Sequence, residues 1–206
     1  MTDVLTHPGP EWVVAEMPAG YQNRLTEIQR LVADLQQMGR FARLLWQVGP
    51  ELGESLHDAF TALRYEAEAV PVGPTTLVTV RVDGRARLLL LPSSSTTAVQ
   101  KKSAEISQVF QLLQEVAEDA DRVVLVTNVE GDKPPADRSA ALTPDALALL
   151  TRMGASHVTG PTLFSLWKLS MEQMDRARSQ VARLLAEDAG TFELPASMMR
   201  LSDMKL

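Results

Sequence analysis

Cysteine is missing from all 206 residues, which excludes disulfide staples, thiolate zinc sites and a cysteine nucleophile together. Histidine occurs three times, as His7, His57 and His157, far apart and with no acidic companion at metal-ligand spacing. The eleven glycines are scattered. Neither Gly-x-x-x-x-Gly-Lys nor Gly-x-Ser-x-Gly occurs, so a phosphate loop and a nucleophile elbow are both excluded. No apolar run approaches the roughly 20 residues that a membrane-spanning helix needs. Cations are also short: 20 Lys and Arg against 26 Asp and Glu leave a net charge of −6. That balance weighs against a nucleic-acid surface, which needs clustered cations to displace counterions. What is present, 45% hydrophobic and 22% charged residues, suits one globular domain with terminal appendages. The Ala- and Arg-rich composition, with no secretory leader in view, implies a bacterial, cytoplasmic protein with no membrane partner.

Along the chain, prolines 8, 10 and 18 make residues 1–22 a loose lead-in, with Trp12, Val13 and Val14 available to pair or dock. Residues 23–48 form an N-terminal helical segment. Leu25, Ile28, Leu31, Val32 and Leu35 recur there at helical spacing, and Gly39 is expected to interrupt the helix. This face fits either packing on its own domain or a short homodimeric coiled coil. Residues 49–170 read as an α/β core. It starts with a helix on Gly49-Pro50 whose apolar face is Leu52, Leu56, Ala59, Phe60 and Leu63. Alternation predicts strands over 65–70, 77–82 and 86–91, with Asp83-Gly84 as the hairpin turn between the last two. A helix over 99–116 follows, then a fully buried strand over 122–127, a helix begun by Thr143-Pro144-Asp145, a strand over 156–159 and a helix from Thr162. Residues 171–190 are expected to be one C-terminal helix with Met171, Met174, Ala177, Val181, Leu184 and Leu185 on one face. Residues 191–206 form a methionine-rich tail.

The order helix, three strands, helix, strand, helix, strand gives a mixed central sheet flanked by helices. Four stretches in that order resemble the PD-(D/E)xK, restriction-endonuclease-like nuclease superfamily. Gly49-Pro50-Glu51-Leu52-Gly53-Glu54-Ser55-Leu56, with Ala59-Phe60 and Leu63-Arg64-Tyr65-Glu66, is similar to its first helix and strand entry. Thr76-Leu77-Val78-Thr79-Val80 resembles the strand that opens on the family's aspartate. Leu89-Leu90-Leu91-Pro92-Ser93-Ser94-Ser95 stands where the Glu-x-Lys strand and its exit lie. Val124-Leu125-Val126-Thr127-Asn128 and Pro134-Pro135-Ala136-Asp137-Arg138 resemble the later strand and its Asn-to-Pro-x-x-Arg loop, and the likeness spans residues 49–169.

In active members an Asp and a Glu hold a divalent cation, a Lys orients the attacking water, and a helix Glu often adds a ligand. The resemblance puts those roles at Thr76, Leu91, Ser93 and Gly53 here, and none of the four can perform them. Glu54 and Asp83 survive nearby, the first as a helix surface residue and the second in the hairpin turn. The resemblance therefore implies a pseudonuclease with no catalytic residues, no metal and no cofactor. Its expected work is protein interaction. The helix face at residues 25–35, helped by the C-terminal helix, would make a homodimer. Met198, Met199, Leu201 and Met204 in the tail would contact a protein partner whose identity the sequence does not name. The alternative is a module that binds nucleic acid or nucleotide without cleaving it. Its phosphate contacts would be Arg81, Arg85, Arg87, Lys101 and Lys102, although the same charges also serve to guard a strand edge. The serines at 93–95 read as a polar loop whose hydroxyls could reach a ligand in the old cleft.

Overall fold

The computed structural model describes residues 16–72, 75–84 and 86–195. The chain divides into two compact units, Met1–Arg40 and Phe41–Leu206. The described residues of the first are mostly helix α1 (Tyr21–Ala42), which runs through Gly39 instead of stopping there. A helical glycine costs only about 1 kcal/mol relative to alanine, too little to break a helix that continues into Phe41 and Ala42. Arg30 is ion-paired to both Glu27 and Asp34 at helical spacing. Ile28, Leu31, Leu35 and Met38 are exposed, and Leu25 and Val32 are half-buried.

The second unit is built on a five-stranded sheet in the order β1-β2-β3-β4-β5. After a short 3-10 turn (Arg43–Leu45), helix α2 (Gly49–Ala62) begins with Pro50 in its first turn and buries Leu52, Leu56, Ala59 and Phe60. Strands β1 (Glu66–Val72), β2 (Thr75–Asp83) and β3 (Ala86–Pro92) form an antiparallel meander. Gly84 supplies the positive φ of 49° at the second hairpin. Helix α3 (Ala104–Glu115) carries the chain to β4 (Arg122–Thr127), parallel to β3, and α4 (Pro144–Arg152) carries it to β5 (Ser156–Thr159), parallel to β4. Helices α5 (Gly160–Glu172) and α6 (Met174–Ala186) follow. The α/β architecture with helices on a mixed sheet is thus the one the sequence implied.

Strand periodicity sorts the core into two layers. Val78, Val80, Leu88, Leu90, Val124, Val126 and Val158 pack with α2, α5 and α6 on one face. Leu77, Leu89, Leu91, Val123 and Leu125 pack with α3 and α4 on the other. Burial on both faces explains why β3 and β4 read as unbroken apolar runs.

Three expectations change. Helix α3 starts at Ala104, not Val99, because Val99 makes an isolated bridge to Leu142 and the Ser103 hydroxyl accepts from Gln100 N. The single helix expected over 171–190 is interrupted at Gln173 (φ −141°, ψ 71°). Met171 therefore ends α5 exposed, whereas Ala177, Val181 and Leu184 of α6 lie in the domain's own core. That face is covered and is not available to a dimer. The tail is not separate at its start either: His157 N donates to Gly190 O and Phe192 N to His157 O, both at 2.8 Å. Phe192 and Leu194 are buried, each worth about 1.5–3 kcal/mol of apolar burial. Met198, Met199, Leu201 and Met204, like Trp12, Val13, Val14, His7 and Arg85, lie outside the described residues.

Candidate functional site

The positions assigned to a nuclease metal site divide between the two faces of the sheet. Gly53 of α2 lies directly over Thr76 of β2 and Pro92 of β3. A Cβ on Gly53 would meet Thr76 Cβ at 3.0 Å and Pro92 Cγ at 3.6 Å. Leu91 is buried on the opposite face, with Leu89 and α3. Side chains alternate along a strand, so the β3 residues sharing the α2 face are Leu90 and Pro92, one register away from Leu91 and Ser93. Neither pair carries a carboxylate or an amine.

Ser93 is fully buried and its polar groups are all engaged. Its N donates to Val126 O, and its carbonyl accepts from Gly49 N, both at 2.8 Å. Its hydroxyl donates to Glu105 Oε1 at 3.0 Å and accepts from Ser95 N at 3.0 Å. The Ser95 hydroxyl closes a local turn onto Thr97 O, leaving Ser94 as the exposed serine of the run. Where a catalytic lysine would stand, this chain has a structural junction joining β3, β4, α2 and α3. Glu105, a buried carboxylate that sequence reasoning passed over, is engaged there by the Ser93 hydroxyl. Glu54 is exposed on α2. Asp83 stands seven residues beyond Thr76 along β2, about 23 Å at strand rise. Among the described residues no three His, Asp or Glu side chains gather as a ligand set.

Two of the cations proposed for phosphate contact, Arg81 and Arg87, are matched with carboxylates. Arg81 and Arg87 face each other across β2 and β3. Arg81 pairs with Glu66 at 2.8 Å, and Arg87 grips Asp121 at 2.6 Å and Glu118 at 3.3 Å. Burial alone would raise the Asp121 pKa. Hydrogen bonds from Arg87 and from backbone N–H groups outweigh it and hold the carboxyl below its ordinary range. Lys101 and Lys102 are exposed in the turn before α3.

A different site opens where β4 and β5 end. A cavity of about 320 Å³ lies between the loop after β4, the N-terminal ends of α4 and α5, and the segment through Thr191 and Glu193. His157 forms part of its wall, with Nε2 2.8 Å from Thr127 Oγ1 and Nδ1 3.4 Å from Thr191 Oγ1. Burial pushes the His157 pKa down to about 4, so the ring is neutral at pH 7. The loop is braced by Asn128 and Arg138. Asn128 Nδ2 donates to Leu44 O and Gln47 O, each at 2.9 Å. Arg138 donates to Asn128 Oδ1, Leu45 O and Lys133 O. These bonds draw residues 44–47 close to the sheet. A Cβ on Gly160 would collide with Leu44 O, and one on Gly131 would come within 2.7 Å of Trp46 O. Sequence reasoning missed His157 because its partners arrive from residues 30 and 34 positions away. His57, by contrast, is a half-exposed α2 residue beside Asp58. Among the described residues no helix is long and apolar enough to cross a membrane. No family model, curated protein or solved structure matches the chain, so its chemistry is read from these residues.

Proposed function

We propose that this chain is a pseudonuclease of the PD-(D/E)xK type that acts as a homodimeric protein-interaction scaffold. The observation that supports the reading is the lack of room above Gly53: an added Cβ would come within 3.0 Å of Thr76 Cβ and 3.6 Å of Pro92 Cγ, and neither neighbour is a carboxylate. The sheet order β1-β2-β3-β4-β5, in which β2 runs opposite to the other four strands, supports the family assignment. The ion pairs of Arg81 and Arg87 weigh against the nucleic-acid alternative. With Mg²⁺ or Mn²⁺ the purified protein leaves single- and double-stranded DNA and RNA intact. Cleavage abolished by Glu54→Gln or Glu105→Gln would overturn the assignment.

The dimer rests on α1. Leu25, Ile28, Val32 and Leu35 follow the 3-4-3 spacing of a coiled-coil seam, and Leu31 and Met38 widen it. Glu27, Arg30 and Asp34 satisfy one another, and Gln29 and Gln36 flank the seam, so no like charges oppose a second copy. Each leucine covered contributes about 1.5–3 kcal/mol. Leu25→Asp with Ile28→Asp converts the dimer to a folded monomer by light scattering. An unmodified chain that is already monomeric at micromolar concentration would sink the dimer while leaving catalytic inertness standing.

A further inference from the structure

The hollow at the ends of β4 and β5 has no part in the scaffold reading. Its volume of about 320 Å³ is at the small end of the range for ligand pockets, and it lies at the carboxyl ends of parallel strands, where α/β sheets commonly bind ligands. Its wall has three kinds of surface. Val129, Leu142 and Leu147 are apolar. Thr127 and Thr191 present hydroxyls, each set by a ring nitrogen of His157, whose neutral imidazole is engaged at both ends. The third kind is charged: Arg138 and Glu193.

Neither charge is in an ion pair within 4.0 Å among the described residues, although the Glu130 and Asp132 carboxylates act on Arg138 from farther off, and burial outweighs them. Arg30, Arg81, Arg87, Lys133 and Arg183 each have a carboxylate within 4.0 Å, but Arg138 has none. It spends three N–H groups on neutral oxygens, and a guanidinium has five, so two remain. Partial burial leaves this cation short of solvation, an environment that favours a carboxylate guest. The Glu193 carboxylate is also in none of the ion pairs, and it would oppose an anion that carried no compensating positive charge. A cation, an anion, hydroxyl groups and an apolar wall in one small hollow complement a compact zwitterion with a short apolar side chain.

We propose that this cavity binds a free α-amino acid with an apolar side chain, its carboxylate on Arg138, its ammonium on Glu193 and its side chain against Leu142 and Leu147. The threonine hydroxyls, held in place by the two ring nitrogens of His157, hydrogen-bond the polar end.

The test uses the full chain and the His157 imidazole resonances as a reporter inside the cavity. L-valine, L-leucine and L-methionine are titrated beside 4-methylpentanoate, which lacks the amine, and 3-methylbutylamine, which lacks the carboxylate. At least one amino acid shifts the His157 signals saturably, and both single-charge analogues bind about tenfold more weakly, the value of one charged hydrogen bond. Glu193→Gln, an exposed position whose variant should keep the melting temperature of the parent, lowers amino-acid affinity to that of 4-methylpentanoate. The proposal is overturned if no amino acid moves the signals, if 4-methylpentanoate binds as tightly as leucine, or if Glu193→Gln leaves the preference unchanged.

Discussion

The carboxyl ends of β3 and of the β4–β5 pair lie along the same edge of the sheet, but one is packed shut and the other encloses a hollow. At β3 the residues are small or apolar and the helix above sits directly on them. A Cβ on Gly53 would crowd Thr76 and Pro92, and the buried hydroxyls are satisfied, that of Ser93 by Glu105 and Ser95 and that of Thr75 by Pro92 O. At β4 and β5 the strand ends carry Thr127, Asn128 and His157, whose polar groups need partners and cannot simply be covered. Asn128 and Arg138 tie down residues 44–47, a polar brace in place of apolar contact, and a space is left beside it. Side-chain size decides the first end, and hydrogen-bond satisfaction decides the second.

The largest effect expected from breaking this contrast is at Gly160. A methyl group there meets the backbone carbonyl of Leu44, which cannot swing aside as a side chain would. Gly160→Ala is expected to cost about 4 kcal/mol or more and to leave much of the protein insoluble or unfolded, as read by urea denaturation. A loss below about 1 kcal/mol would show that the brace yields easily and that the hollow is not a rigid feature.

The next effect in size is the pH dependence carried by His157. Its pKa falls from 6.5 in the unfolded chain to about 4 in the folded one. Between these values the unfolded chain binds a proton that the folded chain refuses. Stability is therefore full above pH 6.5 and drains away as pH falls toward 4. At the acid end the loss approaches roughly 3 kcal/mol. Asp121 does not blur this window, because its pKa is lowered from 3.8 and its contribution is lost only in stronger acid. The slope between pH 6.5 and 4 should be largely absent in His157→Gln. If the variant kept it, the imidazole would not be the group responsible.

The smallest effect is at the closed end. Gly53→Ala gains about 1 kcal/mol of helix propensity. It also brings a methyl to 3.0 Å from Thr76 Cβ, which costs about 1–3 kcal/mol. A net loss near 1 kcal/mol by thermal denaturation is expected. A net gain would mean that α2 has room for a longer side chain there, and the case for a site at the end of β3 would reopen.

Much of the fold was legible because it follows from local chemistry. The alternation at 77–82, the Asp83-Gly84 turn, the apolar run at 122–127 and the Thr143-Pro144 helix start all appear where the sequence places them. The misplaced boundaries have a common physical origin. Val99 bridges to Leu142, and the interruption at Gln173 lets α6 bring Val181 and Leu184 onto the same core as α5. Phe192 likewise pairs with His157, although the residues around it read as a tail. In each case a distant partner outbid the local pattern. The site was less legible. Gly53 and Thr76 do come together, but Leu91 faces the other way, because a shift of one residue moves a strand's side chains to the opposite face.

The sequence by itself determined which helices and strands form and that Gly53, Thr76, Leu91 and Ser93 bring no metal ligand, since periodicity and side-chain chemistry belong to the residues themselves. It also determined that α1 and α6 each carry an apolar stripe. Only the tertiary structure decided that α6 buries its stripe while Ile28, Leu31 and Leu35 of α1 stay exposed. It alone set His157 between Thr127 and Thr191 and left Arg138 beside neutral oxygens. Those outcomes depend on which residues distant in the chain meet, and burial and hydrogen-bond satisfaction exist only after they have met.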